Sequence, residues 1–363
     1  MRPCGYVEVL IFLWRARGHG GRMSGTTADP VRGTGRLVTS PDNDQWVRVF
    51  PPRSARGISP ELQAEGNKRG MRREVDMRSD TVSGETRVTI LVDNEAGAGL
   101  AAEHGFALWV EAGGRRILFD TGQGGVLLAN AQILGIDLAQ ADHLVLSHGH
   151  YDHSGGLAPL LRQGHRTTLH CHPDVVSPRC SIRNRTVKSL QMPGEALAAL
   201  HRFPEGQLHW IQQPTLLDAF AGLTGPIARE TIFEDGGGPF FLDQAGHRPD
   251  PFDDDLALWV RARDGLIVCL GCAHAGLINT LHQVRRLNNG MHIQAVIGGF
   301  HLLEASPERL EQTIAALRRL GPELIIPCHC TGEAAVEGLR RAFGKACRPG
   351  MAGMTCRFET VGP

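Results

Sequence analysis

A chain of 363 residues that is 42 % hydrophobic is long enough for one large domain or two small ones, and its composition is that of an ordinary globular protein. Its 38 basic and 38 acidic residues cancel, which argues against nucleic acid as the main partner. Nine cysteines, an odd number without regular spacing, do not read as a secreted disulfide framework, so a reducing cytoplasm is the simplest compartment. The longest apolar run near the start, Val9 to Trp14, is too short to span a membrane. It follows Glu8 and lacks a clear cleavage site, which weakens a signal-peptide reading.

Residues 1–85 differ from the rest. Gly, Pro, Arg and Ser dominate, without a sustained period. Residues 1–80 hold fourteen Lys/Arg against nine Asp/Glu, so this part carries +5 and the remainder −5. Such composition predicts a disordered N-terminal extension. Two alternatives are a basic tail that binds a partner and a natural start at Met71 or Met77.

From residue 86 to 363 the chain reads as one domain. Thr86–Val92 alternates and is rich in β-formers, a first strand. Phe106–Glu111 and Arg116–Phe119 flank Ala112-Gly113-Gly114 as a hairpin, so the fold opens with an antiparallel meander. The third strand ends in Asp120-Thr121-Gly122. Asp120 at that place could cap the next helix, which Val126 to Leu134 supply. Leu144-Val145-Leu146 is a short buried strand.

That strand runs into Ser147-His148-Gly149-His150-Tyr151-Asp152-His153-Ser154, with three histidines and an aspartate within six residues. Imidazole and carboxylate suit zinc, iron or manganese. In an extended loop His148 and His150 point the same way and can share one ion. Asp152 and His153 can hold a second. The competing reading is a His-rich polar surface loop, but a string of this density directly after a strand favours metal.

Thr167–His170 is a further strand, followed by His172, which reads as a loop histidine with a weaker case for facing the site. Residues 173–255 look irregular and are taken as an insertion near the site. Arg183 and Arg229 within it are candidate anchors for an anionic substrate group, against the alternative of a solvated cationic face. Leu256–Val260 and Leu266–Leu270 pair around Asp264-Gly265. They lead to Cys272 and His274, two apart before a helix. Cys272 is either a thiolate ligand or a small buried residue. His274 offers a third imidazole. Ala295–Ile297 ends near His301. Ser306 caps a helix with Pro307 in its first turn, and Gly321-Pro322 stops it. Leu324–Ile326 runs into Cys328-His329-Cys330, where an extended backbone would send both cysteines to the core, opposite His329. Thr331 is the expected cap of the last helix.

The His-x-His-x-Asp-His string resembles the signature of the metallo-β-lactamase superfamily, over about residues 86–360. The resemblance implies an αββα sandwich, an α/β (α+β) fold of two mixed sheets flanked by helices, with one or two metals at one sheet edge. It implies that Asp120 lies beside the metal site and orients a ligand histidine or loop. It places Cys272 where a metal-bridging carboxylate usually stands, His329 at the last ligand histidine, and His301 near the same edge, in or just outside the ligand set. Leu91-Val92-Asp93-Asn94, Gly271–Gly276, Gly298–Leu302 and His329–Gly332 are similar to motifs of the 7,8-dihydropterin-6-yl-methyl-4-(β-D-ribofuranosyl)aminobenzene 5′-phosphate synthase-like group.

The reading from these features is a metal-dependent hydrolase. His148, His150 and His274 hold one metal. Asp152, His153 and His329 hold the other, with Cys272 reaching either. Two Zn2+ are expected, with Mn2+ or Fe2+ as alternatives. A metal lowers the pKa of water, and hydroxide then attacks an ester, lactone or phosphodiester-type small molecule, with a pterin- or phosphate-containing substrate suggested by the resemblance. Asp120 and Asp152 are the catalytic candidates, with Asp152 accepting the proton in a one-metal version. His301, Arg229 and Arg183 are the substrate-binding candidates. Neither nucleic acid nor membrane is expected as a partner. The alternatives are an iron-dependent oxidoreductase or dioxygenase on the same fold and a non-catalytic metal-binding protein.

Overall fold

A computed structural model describes residues 36–39, 46–49, 84–164 and 166–360. The chain divides after Asp76 into two units. In the first, Arg36–Thr39 pairs antiparallel with Trp46–Val49. The expected disordered extension and the alternative starts at Met71 and Met77 otherwise lie outside the described residues.

The second unit opens with the predicted meander. Glu85–Val92, Ala107–Ala112 and Arg115–Phe119 pair antiparallel in sequence order. Ala112 faces Arg115 across a two-residue turn. Gly113 and Gly114 have φ of 57° and 77°. Positive φ at both central residues matches the twist of the strands, and only glycine adopts it without strain. The sheet then turns parallel through His143–Val145, Thr168–Cys171 and Leu208–Trp210, and Thr355–Glu359 closes the opposite edge. The second sheet runs Thr215–Leu216, Ala221–Leu223, Ala257–Ala262, Gly265–Leu270, Ile293–Gly299 and Leu324–Cys328, with its last three strands parallel.

The inner faces of the two sheets bury Ile90, Leu108, Phe119, Leu258, Ile267 and Ile326 against one another. Helices Leu127–Ile133, Leu157–Leu161 and Gly194–His201 cover the outer face of the first sheet. Helices Leu277–Leu287, Pro307–Leu320 and Glu333–Phe343 cover the second. Leu277, Leu281 and Val284 recur at helical spacing and are buried. Ser306 accepts the Arg309 N–H at 3.2 Å, Pro307 lies in the first turn, and left-handed Gly321 ends that helix. The order of layers is therefore αββα, as expected. Among the described residues no helix is long and apolar enough to cross a membrane.

Three local features differ from expectation. Tyr151–Ser154 is a helical turn rather than extended loop, because Ser154 bonds the His150 carbonyl through both its N–H and its hydroxyl. Residues 173–255 are not simply an insertion. Leu208–Trp210 and Ala221–Leu223 are strands of the two main sheets. Only Cys180–Arg183, Thr186–Ser189 and Phe240–Phe241 form a separate small sheet. Strands of three residues carry too little alternation to be read from sequence. Thr331 does not cap the last helix, whose cap residue is Gly332; its hydroxyl donates to the Cys328 carbonyl at 2.7 Å.

Leu258 is fully buried between the sheets. Leu258→Ala is expected to cost about 2–5 kcal/mol through lost apolar contact and a cavity. Urea unfolding with an unchanged m-value would read this as a lower midpoint.

Candidate metal centre

Strands that share one direction end at one edge of a layered fold, and loops from those ends meet there. Asp120 follows Phe119 in the left-handed region, with φ of 62°, and is fully buried. One carboxylate oxygen accepts the Ser147 N–H at 2.7 Å. The other accepts the Ser147 hydroxyl at 2.6 Å and pairs with His153 Nδ1 at 2.7 Å. The Ser147 hydroxyl spends its proton on Asp120. It can therefore only accept from His148 Nδ1, 2.9 Å away.

These contacts fix tautomers. His148 carries its proton on Nδ1, so Nε2 presents a lone pair. The same logic holds where a ring Nδ1 meets a pure acceptor. His274 Nδ1 donates to the Gly236 carbonyl at 3.2 Å, and His329 Nδ1 to Asn94 Oδ1 at 2.9 Å. Partners of this kind set the orientation and basicity of metal-binding imidazoles.

Nε2 of His148, His150 and His274 and Oδ1 of Asp152 are buried without a hydrogen-bond partner in the protein. Buried polar atoms are nearly always paired. One donor atom each from His148, His150 and His274 lies within 4.8 Å of the other two. Burial, then neighbouring imidazoles, push all three pKa values well below the ordinary histidine range. Neutral imidazole is the ligating form. The donors therefore fit a divalent metal ion.

A second set adjoins the first. His153 Nε2 is 3.1 Å from Cys272 Sγ and 3.3 Å from His329 Nε2. His329 Nε2 is 3.4 Å from Asp152 Oδ2. Burial opposes charge on His153, but Asp120 and then Asp152 outweigh it and raise its pKa to about 9. Burial lowers His329 to about 4. His148, His153 and Cys272 form a further group of donors within 4.8 Å.

These residues open on a cleft of about 1030 Å³. His301 lines it, edge-on to His274 with ring centroids 4.3 Å apart, and burial lowers its pKa to about 3. Arg183 lines it too, paired with Glu304. Arg229 is a correction. It lies outside the cleft lining and donates to the Pro251 carbonyl at 2.9 Å, because its segment is held on the 277–287 helix by Gln283 and Asn279 instead. His172 caps the turn 173–176 by accepting the Asp174 N–H.

Cys330 is the other correction. Cys328 is buried in the core, but Cys330 is half-buried and lines the cleft with Cys272 and His329. Residues His329–Thr331 form a 3-10 turn, with φ of 49° at His329, so strand alternation does not apply. Sequence reading also missed His104, whose Nε2 lies 3.0 Å from Asp152 Oδ2. A single histidine in a Gly/Ala-rich loop gives no signal. Asn94 had one, as part of the Leu91–Asn94 motif, but no assigned role.

A family model described as the metallo-β-lactamase superfamily matches residues 101–329. A solved structure described as a metal-dependent hydrolase of the β-lactamase superfamily is 32 % identical, with a TM-score of 0.65 over 76 % of this chain and 99 % of that one. The 7,8-dihydropterin-6-methyl-4-(β-D-ribofuranosyl)-aminobenzene-5′-phosphate synthase of Methanocaldococcus jannaschii is 29 % identical over 249 residues, 64 % of this chain and 82 % of that protein. An uncharacterized protein of the same organism is 29 % identical over 253 residues, 69 % and 93 % of the two chains.

Asp120→Asn keeps the shape but removes the charge that faces His153. Loss of such an outer partner costs about 10–100-fold in metal affinity. Competition with a chromophoric chelator is expected to show that loss; unchanged affinity would remove Asp120 from the site.

Proposed function

Because this chain belongs to the metallo-β-lactamase superfamily, we propose that it is a metal-dependent hydrolase. His148, His150 and His274 hold one ion, and Asp152, His153 and His329 a second, with Cys272 reaching it. Zinc suits the mixed imidazole, carboxylate and thiol donors. A bound ion supplies Lewis acidity and lowers the pKa of water towards neutrality. Asp120 is a positioning residue that holds His153 directly and His148 through Ser147. His104 meets Asp152 Oδ2, and in a one-metal version the partnerless Oδ1 accepts a proton from water or substrate.

The substrate is a small molecule that enters the cleft, an ester, lactone or phosphodiester. Lys188 Nζ sits 2.9 Å from the Tyr151 hydroxyl at the cleft wall and, with Arg183, favours an anionic group. His301 lines the cleft beside His274 and Phe240, where a substrate group can meet it. The name of the methanogen relative adds a pterin- or phosphate-containing compound as the first class to try. The reading places the protein in the cytoplasm, with neither nucleic acid nor membrane as its partner.

The observation that carries the hydrolase reading is the convergence of three partnerless, buried imidazole nitrogens beside the partnerless Asp152 oxygen. One observation favours a redox enzyme on the same fold as second reading: thiols at Cys272 and Cys330 stand among the donors, and thiolates also suit iron.

Elemental analysis of protein purified without added metal or chelator, wild type beside His150→Ala, tests both readings. Two zinc equivalents in the wild type, with the equivalent at the first position and turnover lost in the variant, are expected. Iron with oxygen consumption would replace the hydrolase by the redox reading. Full turnover in metal-free His150→Ala would overturn both.

A further inference from the structure

Cys330 has no role in the reading above, yet the fold is arranged around its thiol. At Gly299, the last residue of its strand, an added Cβ would stand 2.6 Å from Cys330 Sγ and 3.3 Å from the Cys272 Cα. Only glycine leaves space there for the thiol and for the Gly271 carbonyl oxygen, 2.5 Å from the same added Cβ. The turn that carries Cys330 is clamped from three sides. Asp93 accepts the His329 N–H at 2.8 Å, Asn94 donates to the His329 carbonyl at 3.1 Å, and Thr331 accepts the Phe300 N–H at 3.2 Å. His329 is thereby held at a positive φ of 49°. Strain of this kind persists only where the surroundings enforce it, and it concentrates at functional sites.

The distances around the thiol have a specific scale. A tetrahedral zinc with bonds of about 2.0–2.1 Å to nitrogen and about 2.3 Å to sulfur separates its donors by about 3.3–3.8 Å. His153 Nε2 lies 3.1 Å from Cys272 Sγ and 3.3 Å from His329 Nε2. The donor atoms of Cys272, His329 and Cys330 lie within 4.8 Å of one another. Two of these separations are thus near tetrahedral spacing, and the Cys330 thiol is close enough to Cys272 and His329 to share one ion with them. Cys328 shows what a merely structural cysteine looks like here. It packs in the inter-sheet core and, among the described residues, joins none of the donor groups that hold Cys272 and Cys330.

We propose that Cys330 is a metal ligand, which with Cys272, His153 and His329 forms a two-nitrogen, two-thiolate site for a borderline-soft divalent cation. This rests on the metal-dependent reading above and deepens its second ion position. Both thiols lose their protons to solvent as the ion binds, so binding at this position releases protons. Thiolate donors select zinc, cobalt(II) or iron(II) over manganese and magnesium. Asp152 is then not needed to complete four-coordination.

Cobalt(II) titration of the full-length protein tests this, because thiolate ligation gives a near-ultraviolet charge-transfer band that imidazole and carboxylate do not. Wild type is expected to show the band. Cys330→Ser is expected to lose about half its intensity, and the double variant Cys272→Ser/Cys330→Ser all of it. His150→Ala, which touches the other position, is expected to keep it. X-ray absorption of the zinc-loaded wild type is a check that needs no variant: sulfur scatterers at about 2.3 Å are expected. Full band intensity in folded Cys330→Ser would overturn the role of Cys330 and leave the hydrolase reading standing. Cobalt bound in wild type without any band, or zinc without sulfur, would overturn the thiolate site as a whole while sparing that reading. No metal bound in wild type would overturn both.

Discussion

A carboxylate with no access to solvent is the constraint on which the centre depends. Asp120 is fully buried, so its charge has to be met inside the protein. It is met by the Ser147 N–H, the Ser147 hydroxyl and His153 Nδ1. Each of these bonds passes geometry on to a metal-facing atom. Through Ser147 the carboxylate settles the tautomer of His148, and directly it turns His153 Nε2 towards Cys272 and His329. The two donor sets therefore hang from one anion. Gly271 belongs to the same arrangement, since a Cβ there would stand 2.1 Å from the Ser147 hydroxyl and 3.0 Å from Asp120.

Backbone strain gathers at the same edge. Asp120, Ala273, His301 and His329 are non-glycine residues with φ of 62°, 54°, 46° and 49°. Each stands one to three residues beyond the end of a strand. A chain leaving a strand in extended form would carry alternate side chains to opposite faces of the sheet. The left-handed residue breaks that alternation and brings successive side chains to one side. It costs of order 1–3 kcal/mol at each position, offset by hydrogen bonds such as Asp93 to the His329 N–H. The inter-sheet core, with Ile90, Phe119, Ile267 and Ile326 packed together, supplies the rigid strand ends on which the strained residues stand.

Much of this was legible in the residues. The meander, the Ala257–Leu270 hairpin, the amphipathic helices and the Ser306 cap follow from periods, turn dipeptides and cap chemistry that act within a few residues. The imidazole density of 147–154 marked a candidate metal centre for the same local reason. His274 and His329 were found because each follows a strand that sequence pattern could place.

Other parts depended on neighbours distant in sequence. His104 meets Asp152 across 48 positions only because the Ala101–Phe106 loop folds over the strand end. Leu208–Trp210 and Ala221–Leu223 are strands because existing sheet edges offer them partners, not because three residues prefer that form. Arg229 turned away from the cleft and Cys330 into it, each against expectation, since side-chain direction after a strand end is set by φ values and by packing that no local pattern encodes. By itself, then, the sequence determined the layers, the strand ends and the supply of imidazoles, because those rest on short-range periodicity and burial. Tertiary structure alone decided which donors converge, in which tautomer, and which cysteine joins them, because those rest on contacts closed by the packing of two sheets.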